Sequence, residues 1–280
     1  MNLGTIKSRA RSYLNEPTAS YWSDSEVEGW INDGLEEIEI DSFTTEDVRS
    51  MSTVENQQEY GLPDKVLKVV EGIRWEDNPL NWCDWEDYVR VIAPQNMSVT
   101  GDPTDCMVYD RKIYLHPRPS DSASQATLSS SMTSSSASML VDSTTGFPDT
   151  GRFIVGSEVV AYTGRSATKF SGLSRAMEDT SATSHIADVL ATERDITYPC
   201  KVVSATLSDD SDTPEFTGLH KTLAYYVARE GWSKKGDKER VEYFDKRWEK
   251  GKADIKKFSL RQLYGRQHVK DSDVYGKRRF

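Results

Sequence analysis

The chain has 280 residues, 36% of them hydrophobic, and its 35 Lys and Arg against 45 Asp and Glu give a formal net charge of −10 at pH 7. This length is enough for a well-buried core in one or two domains. Apolar runs of the ~18 residues that cross a membrane are missing, and the N-terminus lacks the apolar middle of a signal peptide. We therefore expect a cytoplasmic protein without a membrane span. The acidic balance argues against sequence-specific DNA binding by the main fold.

The charge is unevenly distributed along the chain. Residues 232–280 carry 16 Lys and Arg against 8 Asp and Glu, whereas residues 1–231 carry 19 against 37. The sequence therefore predicts an acidic body and a basic C-terminal end that favours an acidic partner.

In chain order, the first two elements are amphipathic helices at residues 3–15 and 24–40. Apolar residues recur at helical spacing in both, and Ser23 with Glu26 forms a capping-box pattern ahead of the second. The short loop between them contains Pro17, and it predicts an antiparallel helical hairpin.

From residue 50 onward the apolar period changes toward two, which predicts strands up to Trp75. A short helix is expected next, with Trp82, Trp85 and Tyr88 three residues apart. We interpret these aromatic side chains as core rather than as a sugar-stacking platform, because large aromatic residues are usually buried.

A tight β-hairpin follows, with its turn at Asp110 and Arg111. The composition then changes: residues 122–192 hold 16 Ser and 10 Thr, no Cys or Trp, and only 10 charged residues. Short strand candidates separated by glycines predict a small β-barrel or sandwich there. The strand-like segments on either side resemble two halves of one β element, so we interpret residues 122–192 as an inserted domain.

The C-terminal part begins with the most apolar helix, predicted at residues 214–230 with Pro214 in its first turn and Gly231 as its stop. A long helix over residues 238–262 follows. Residues 265–280 are polar, basic and aperiodic, which is typical of an extended or disordered tail.

These elements predict an α+β fold, with a mainly α-helical bundle body, a small β element and an inserted all-β barrel or sandwich. The predicted domains are a helical body of residues 1–121 with 193–264, the inserted β domain of residues 122–192, and the extended tail of residues 265–280.

Motifs that carry catalysis or cofactor binding are not apparent. The sequence has no Gly-rich phosphate loop and no HExxH, GxSxG or CxxC. Its three cysteines are predicted to be buried free thiols, and its four histidines are each isolated. The run Asp209, Asp210 and Asp212 can in principle bind a cation, but we interpret it as a solvated approach to a helix N-terminus. We expect no enzyme activity, no catalytic residue, no cofactor and no metal.

Three segments, in this order, resemble the head-to-tail adaptor (connector) proteins of tailed bacteriophages. They are EYGLPDKVLKVVEGIRW, MVYDRKIYLHPRP, and the stretch from ITYPCKVV through an acidic loop and a helix to a Lys-Gly-Asp turn. The resemblance covers residues 1–120 and 193–262. The insert is similar to a small β module of phage tail and fibre proteins.

This resemblance implies a structural virion protein without catalytic residues, at the head-tail junction of the particle and in the host cytoplasm during assembly. It implies a ring of subunits, commonly a dodecamer, docked beneath the portal protein and bound to tail or nozzle proteins. Genomic DNA would pass through without sequence-specific binding, and no membrane is involved. The alternative is a virion-associated carbohydrate-binding or glycan-degrading protein whose site is the insert or the cluster of Trp82 and Trp85.

The basic tail is the candidate portal-binding segment. It lacks a periodic apolar face, so it cannot offset its own ordering entropy by local burial. Its cations and apolar anchors suit folding onto an acidic, grooved partner, and the resemblance suggests that this partner is the portal. The candidate portal-binding residues are Arg266, Lys270, Tyr275, Lys277, Arg278, Arg279 and Phe280.

Overall fold

The computed structural model describes residues 1–42, 45–87, 99–216 and 219–275, with residues 260–275 as backbone. Within these ranges the chain forms five helices and nineteen strands, and the strands form five sheets. The chain divides into two compact units: a helical unit, residues 1–46 with 201–280, and a β unit, residues 47–200. The predicted helical bundle body with a small β element is therefore wrong. Helices build only one unit, because the alternating segments after residue 46 form sheets of their own.

The helices are α1 Leu3–Tyr13, α2 Asp24–Ser42, α3 Trp85–Asp87, α4 Lys221–Lys235 and α5 Lys238–Tyr275. The strands are β1 Glu46–Met51, β2 Glu59–Gly61, β3 Val66–Val69, β4 Arg74–Trp75, β5 Asn78–Pro79, β6 Asn81–Trp82, β7 Thr100–Gly101, β8 Asp105–Tyr109, β9 Lys112–His116, β10 Arg118–Pro119, β11 Gln125–Thr127, β12 Ser138–Leu140, β13 Gly151–Val155, β14 Glu158–Tyr162, β15 Gly164–Ser166, β16 Lys169–Ser171, β17 Ser174–Met177, β18 Leu190–Glu193 and β19 Ile196–Val202.

The core of the helical unit lies between α1, α2, α4 and α5, and α4 packs against each of the other three. Their apolar faces meet in one cluster of buried residues that includes Ile6, Trp30, Leu223 and Trp248. The predicted hairpin of the first two helices is confirmed. Of the two hydrogen bonds of a capping box, one is observed among the described residues: the Ser23 hydroxyl accepts the N–H of Glu26 at 3.2 Å.

Helix α4 begins later than predicted and continues past Gly231. Leu219 has a φ of 51°, a left-handed conformation outside the α-helical region, and the helix starts at Lys221. It ends at Gly236, whose φ of 73° supplies a left-handed C-cap. Gly231 instead faces α1, where an added Cβ would lie 2.5 Å from Leu14 Cδ2. The close approach of two helices, and not the end of a helix, explains this glycine.

Replacing Gly231 with alanine should therefore destabilise the helical unit by about 1–3 kcal/mol, because overpacking outweighs alanine's better helix propensity. The matched control is Gly29→Ala in α2, where an added Cβ has no neighbour within 4 Å. That variant should gain about 0.5–1 kcal/mol. Urea unfolding followed by far-UV circular dichroism measures both. Equal stability of the two variants would show that α1 and α4 can separate without cost.

Helix α5 continues to Tyr275, so residues 265–275, predicted as part of an extended tail, are helical. Between residues 262 and 275 the sequence has one glycine, Gly265, and no proline. Extending an existing helix avoids the cost of nucleation, so the lack of an apolar face does not stop it. Residues 276–280 lie outside the described residues.

In the β unit, β19 is the central strand of a five-stranded sheet of order β1-β19-β4-β5, and β3 also pairs with β19. A second sheet has the order β2-β9-β8-β6, and β7 pairs with β10. The predicted hairpin is β8 with β9, and its turn is confirmed. Tyr109 pairs with Lys112, and Asp110 and Arg111 have φ values of 46° and 57°, as a type I′ turn requires.

The remaining strands form a sheet of order β11-β18-β13-β14-β17 and a three-stranded sheet of order β12-β16-β15. These strands share an apolar core in which Phe147, Phe153, Tyr162 and Phe170 pack ring against ring. They belong to the same compact unit as residues 47–121. The separate inserted domain of residues 122–192 therefore stays a prediction.

Candidate functional site

The candidate portal-binding residues lie at the end of α5 and beyond it. Arg266 and Lys270 are one helical turn apart on its backbone, and Tyr275 is its last residue. The other four lie outside the described residues: Lys277, Arg278, Arg279 and Phe280. Three of the seven predicted residues therefore lie on one continuous helix.

The acidic run after β19 caps the first helix rather than the helix that follows it. The carbonyl oxygens of Asp210 and Asp212 accept the N–H groups of Gly4 at 3.1 Å and Leu3 at 2.7 Å. These are donors that the first turn of a helix leaves unpaired. Lys7 of α1 also forms an ion pair with Asp210. Within the described residues, no group of His, Cys, Asp or Glu has the arrangement of a metal site.

The cysteines are free thiols, and two of the three are buried. Burial raises the pKa of Cys106 to about 12 and that of Cys200 to about 11. Cys83 is half-buried, and burial together with nearby carboxylates raises its pKa as well. Thiols with raised pKa values hold little thiolate near neutral pH, so none of the three has the properties of an activated nucleophile.

Two of the tryptophans predicted to be core are exposed. Trp82 is 38% and Trp85 46% exposed, and the ring of Trp85 stacks on Tyr109 at a centroid distance of 4.2 Å. The prediction of a buried aromatic helix is wrong for these two, because Trp82 lies in strand β6 and the helix that contains Trp85 has three residues. Tyr88 lies outside the described residues.

A cavity of about 510 Å³ in the β unit contains buried acids. Burial, with the negative charges of Asp195 and Glu76, raises the pKa of Glu193 to about 7. Asp195 is also buried, and burial raises its pKa although Thr53 N–H donates to it at 2.7 Å and Trp75 Nε1 at 3.3 Å. These bonds tie Asp195 to Trp75 of β4 and to Thr53, which follows β1. Fewer hydrogen bonds offset the burial of Glu193.

A third buried acid in the β unit, Glu158, is fully paired. Arg175 donates to its two oxygens at 2.7 and 2.6 Å, and His185 Nε2 lies 2.8 Å from Oε2. The backbone N–H groups of Ala176 and Thr183 donate to it as well. Burial alone would raise the pKa of Glu158, but these partners lower it to about 2. The arrangement fixes the loop after β17 against β14, so its role is structural.

Aromatic and arginine side chains share one face of the helical unit, here called the Arg-Tyr face: Arg9, Tyr13, Tyr225, Tyr243 and Arg247. Tyr13 stacks on Tyr225 at 5.5 Å, and the Arg247 guanidinium lies 4.5 Å from the ring centroid of Tyr243 and 5.6 Å from that of Tyr225. Burial and Tyr225 raise the pKa of Tyr13, while the charges of Arg9 and Arg247 lower it, so both guanidinium groups lie near this ring. Tyr243 is 51% exposed.

The outer side of α2 is acidic. Asp33 and Glu36 lie on this side, and exposed Ile40 continues the same face, which is here called the acidic α2 face. Beside it, α2 and residues 203–206 line a groove of about 290 Å³. Asn32 holds this extended segment in place, since its side chain both accepts from the N–H of Leu207 and donates to the carbonyl of Leu207.

Sequence reasoning missed the buried acids and both faces of the helical unit. Arg175 is 17 residues and His185 is 27 residues from Glu158 in the sequence. No local sequence pattern links residues so far apart. The Arg-Tyr face combines α1, α4 and α5, and only the charge excess of the C-terminal region pointed toward it.

No helix within the described residues combines the length and apolar character that crossing a membrane requires. No curated protein matches the sequence. The model of one protein family, described as SU10 adaptor protein, matches residues 1–270. Since this match spans nearly the entire sequence, both units included, the chain belongs to the SU10 adaptor protein family.

Proposed function

We propose that this protein is a structural virion protein of a bacteriophage, a head-to-tail adaptor that docks as a ring under the portal. In this role it extends the DNA channel and provides the attachment site for the tail. The observation that carries the proposal is the family match over residues 1–270. The order of the three adaptor-like segments in the sequence supports it.

Charge supports passage of DNA without binding. The β unit carries 13 Lys and Arg against 22 Asp and Glu, while the helical unit carries 22 against 23. A net negative protein repels the phosphate backbone, so DNA can move past it without being retained. A channel component needs this property, whereas a sequence-specific DNA-binding protein needs the opposite.

Deleting residues 266–280 tests portal docking. The buried core of the helical unit ends at Ile255 among the described residues, so this truncation should leave the melting temperature nearly unchanged. Portal binding should weaken, because the deletion removes the candidate cations, and high salt should weaken binding of the full chain in the same direction. Deleting residues 276–280 alone distinguishes the contribution of the end of α5 to portal binding from that of the last three cations.

Binding is measured with purified portal at low salt and equal protein concentration. Truncated chains that bind as tightly as the full chain would contradict the role of this segment. A full chain that does not bind the portal at all would contradict the proposed function itself.

The exposed stack of Trp85 on Tyr109 favours carbohydrate binding as a second candidate function, because sugars stack on exposed aromatic rings. The two functions differ in a simple observation. A chain that remains monomeric, binds glycans and does not associate with the portal would favour this second function over the adaptor.

A further inference from the structure

The helical unit carries two faces of opposite charge, on different helices. The Arg-Tyr face lies on α1, α4 and α5, and the acidic α2 face lies on the outer side of α2. Within the described residues, Arg9, Arg247, Asp33 and Glu36 have no ion-pair partner within 4.0 Å. These four charged side chains have no counter-ion among the side chains that the structure describes, whereas many other charged side chains of the unit are paired.

The Arg-Tyr face has the composition of an interface centre. Tyrosine and arginine are among the residues enriched at energetically important contact positions, because each combines a large contact area with a polar end. The contacts of Arg247 with Tyr225 and Tyr243 hold its guanidinium in place before any partner binds. Such pre-ordering lowers the entropy cost of association.

We infer that the Arg-Tyr face of one copy docks on the acidic α2 face of a second copy, so that copies associate head to tail. This inference rests on the proposed ring and assigns its interface. Charge complementarity supports it: the helical unit is nearly neutral, with 22 basic and 23 acidic residues, yet Arg9 and Arg247 lie on one face and Asp33 with Glu36 on another. The two faces differ, so the contact is heterologous and repeats from copy to copy, closing a ring when the rotation between copies allows.

A second copy fits better than nucleic acid. DNA would have to approach a chain of net charge −10, and the acidic α2 face would remain without a partner. A second copy satisfies both faces at once, and complementary charges of this kind mainly set specificity and association rate.

The test is the self-association of the full chain, measured by sedimentation velocity at low salt over a concentration series. Arg247→Glu places a carboxylate opposite the acidic α2 face, and Glu36→Lys places an ammonium group opposite the Arg-Tyr face. Each variant alone should therefore associate about tenfold more weakly or worse. The matched control is Lys256→Glu, an equal charge change nine residues along α5, on the opposite side of the helix. It should associate as the wild type does.

Association in a mixture of the two variants distinguishes a head-to-tail contact from other contacts. In a head-to-tail contact, R247E and E36K complement each other, so the mixture and the double variant in one chain should both regain association. An interface that uses the same face on both copies would leave one of the two single variants associating as the wild type does, and that result would overturn the inference. A wild-type chain that stays monomeric at its highest soluble concentration would overturn it as well.

Duplex DNA is the probe for the competing partner. DNA binding that R247E abolishes, in a chain that does not self-associate, would assign the Arg-Tyr face to nucleic acid instead. Portal binding is measured separately, so a chain that self-associates through these faces without binding portal contradicts only the proposed function.

Discussion

Replacing Arg175 with methionine should destabilise the β unit by about 3–5 kcal/mol, because it leaves the carboxylate of Glu158 buried without its main counter-charge. Glu158 is fully buried, and Arg175 donates to both of its oxygens. Hydrogen exchange of the β14 and β17 amides in the full chain reports the loss where it occurs. The control is Arg165→Met, which removes a 3.4 Å ion pair with the exposed Asp149 and should cost less than about 1 kcal/mol.

The double variant Arg175→Met with Glu158→Leu distinguishes the lost charge partner from lost packing. Removing both members of a buried pair is often close to neutral, so the double variant should regain part of the stability. Unchanged exchange in Arg175→Met alone would show that His185 and the backbone N–H groups suffice to hold the carboxylate.

The low pKa of Glu158 also predicts acid sensitivity. Its folded pKa is about 2 and its ordinary value is 4.5. The folded state therefore binds this proton less readily than the unfolded state does. The stabilisation is fully present above pH 4.5 and is lost as pH falls toward 2.

Replacing Glu193 with glutamine should stabilise the protein at alkaline pH, because the pKa of Glu193 is shifted in the direction opposite to that of Glu158. The pKa of Glu193 is raised from 4.5 to about 7 by burial and by neighbouring Asp195 and Glu76. Between these values the folded state holds the proton and the unfolded state has released it, so stability falls as pH rises. Above pH 7 the charged form costs about 3 kcal/mol, since each unit of pKa shift corresponds to about 1.4 kcal/mol.

The expected result is that Glu193→Gln gains up to about 3 kcal/mol near pH 8 and nothing near pH 4, measured by urea unfolding at a series of pH values. The control is Glu242→Gln on the surface of α5, whose lowered pKa comes from Lys246. Its stability should not diverge from the wild type between about pH 5 and 8. Parallel profiles for wild type and Glu193→Gln would contradict a raised pKa at this site.

The sequence predicted the elements whose signals are local. The α1 and α2 hairpin and the turn at Asp110 and Arg111 were confirmed, because capping residues and turn conformations depend on neighbours in the chain. The predicted start of α4 was wrong, because an apolar stripe does not fix where a helix begins and Pro214, although suited to a first helical turn, lies ahead of the helix that starts at Lys221. Gly231 was misassigned because the side chain that leaves room only for a glycine there, Leu14 at the C-cap of α1, is distant in sequence.

The size of the β unit was the larger error. Residues 46–121 were counted with a helical body although their period of two was recognised, because the composition break at residue 122 was interpreted as the domain boundary. Composition marks where a chain changes its amino-acid usage, whereas units are defined by packing. The Arg152 guanidinium illustrates the difference: it donates to the carbonyl of Val48 at 2.5 Å and to Glu178 at 2.8 Å, joining the Ser-rich stretch to β1.

The ends of the β unit lie side by side. The Cys200 thiol is 3.6 Å from the carbonyl oxygen of Asp47, and β1 and β19 are neighbouring strands. A segment with adjacent ends can be gained, lost or exchanged during evolution without breaking the core that hosts it. The four helices that build the core of the helical unit, α1, α2, α4 and α5, all lie outside the β unit. A change of length within residues 47–200 therefore need not alter the packing of the four helices.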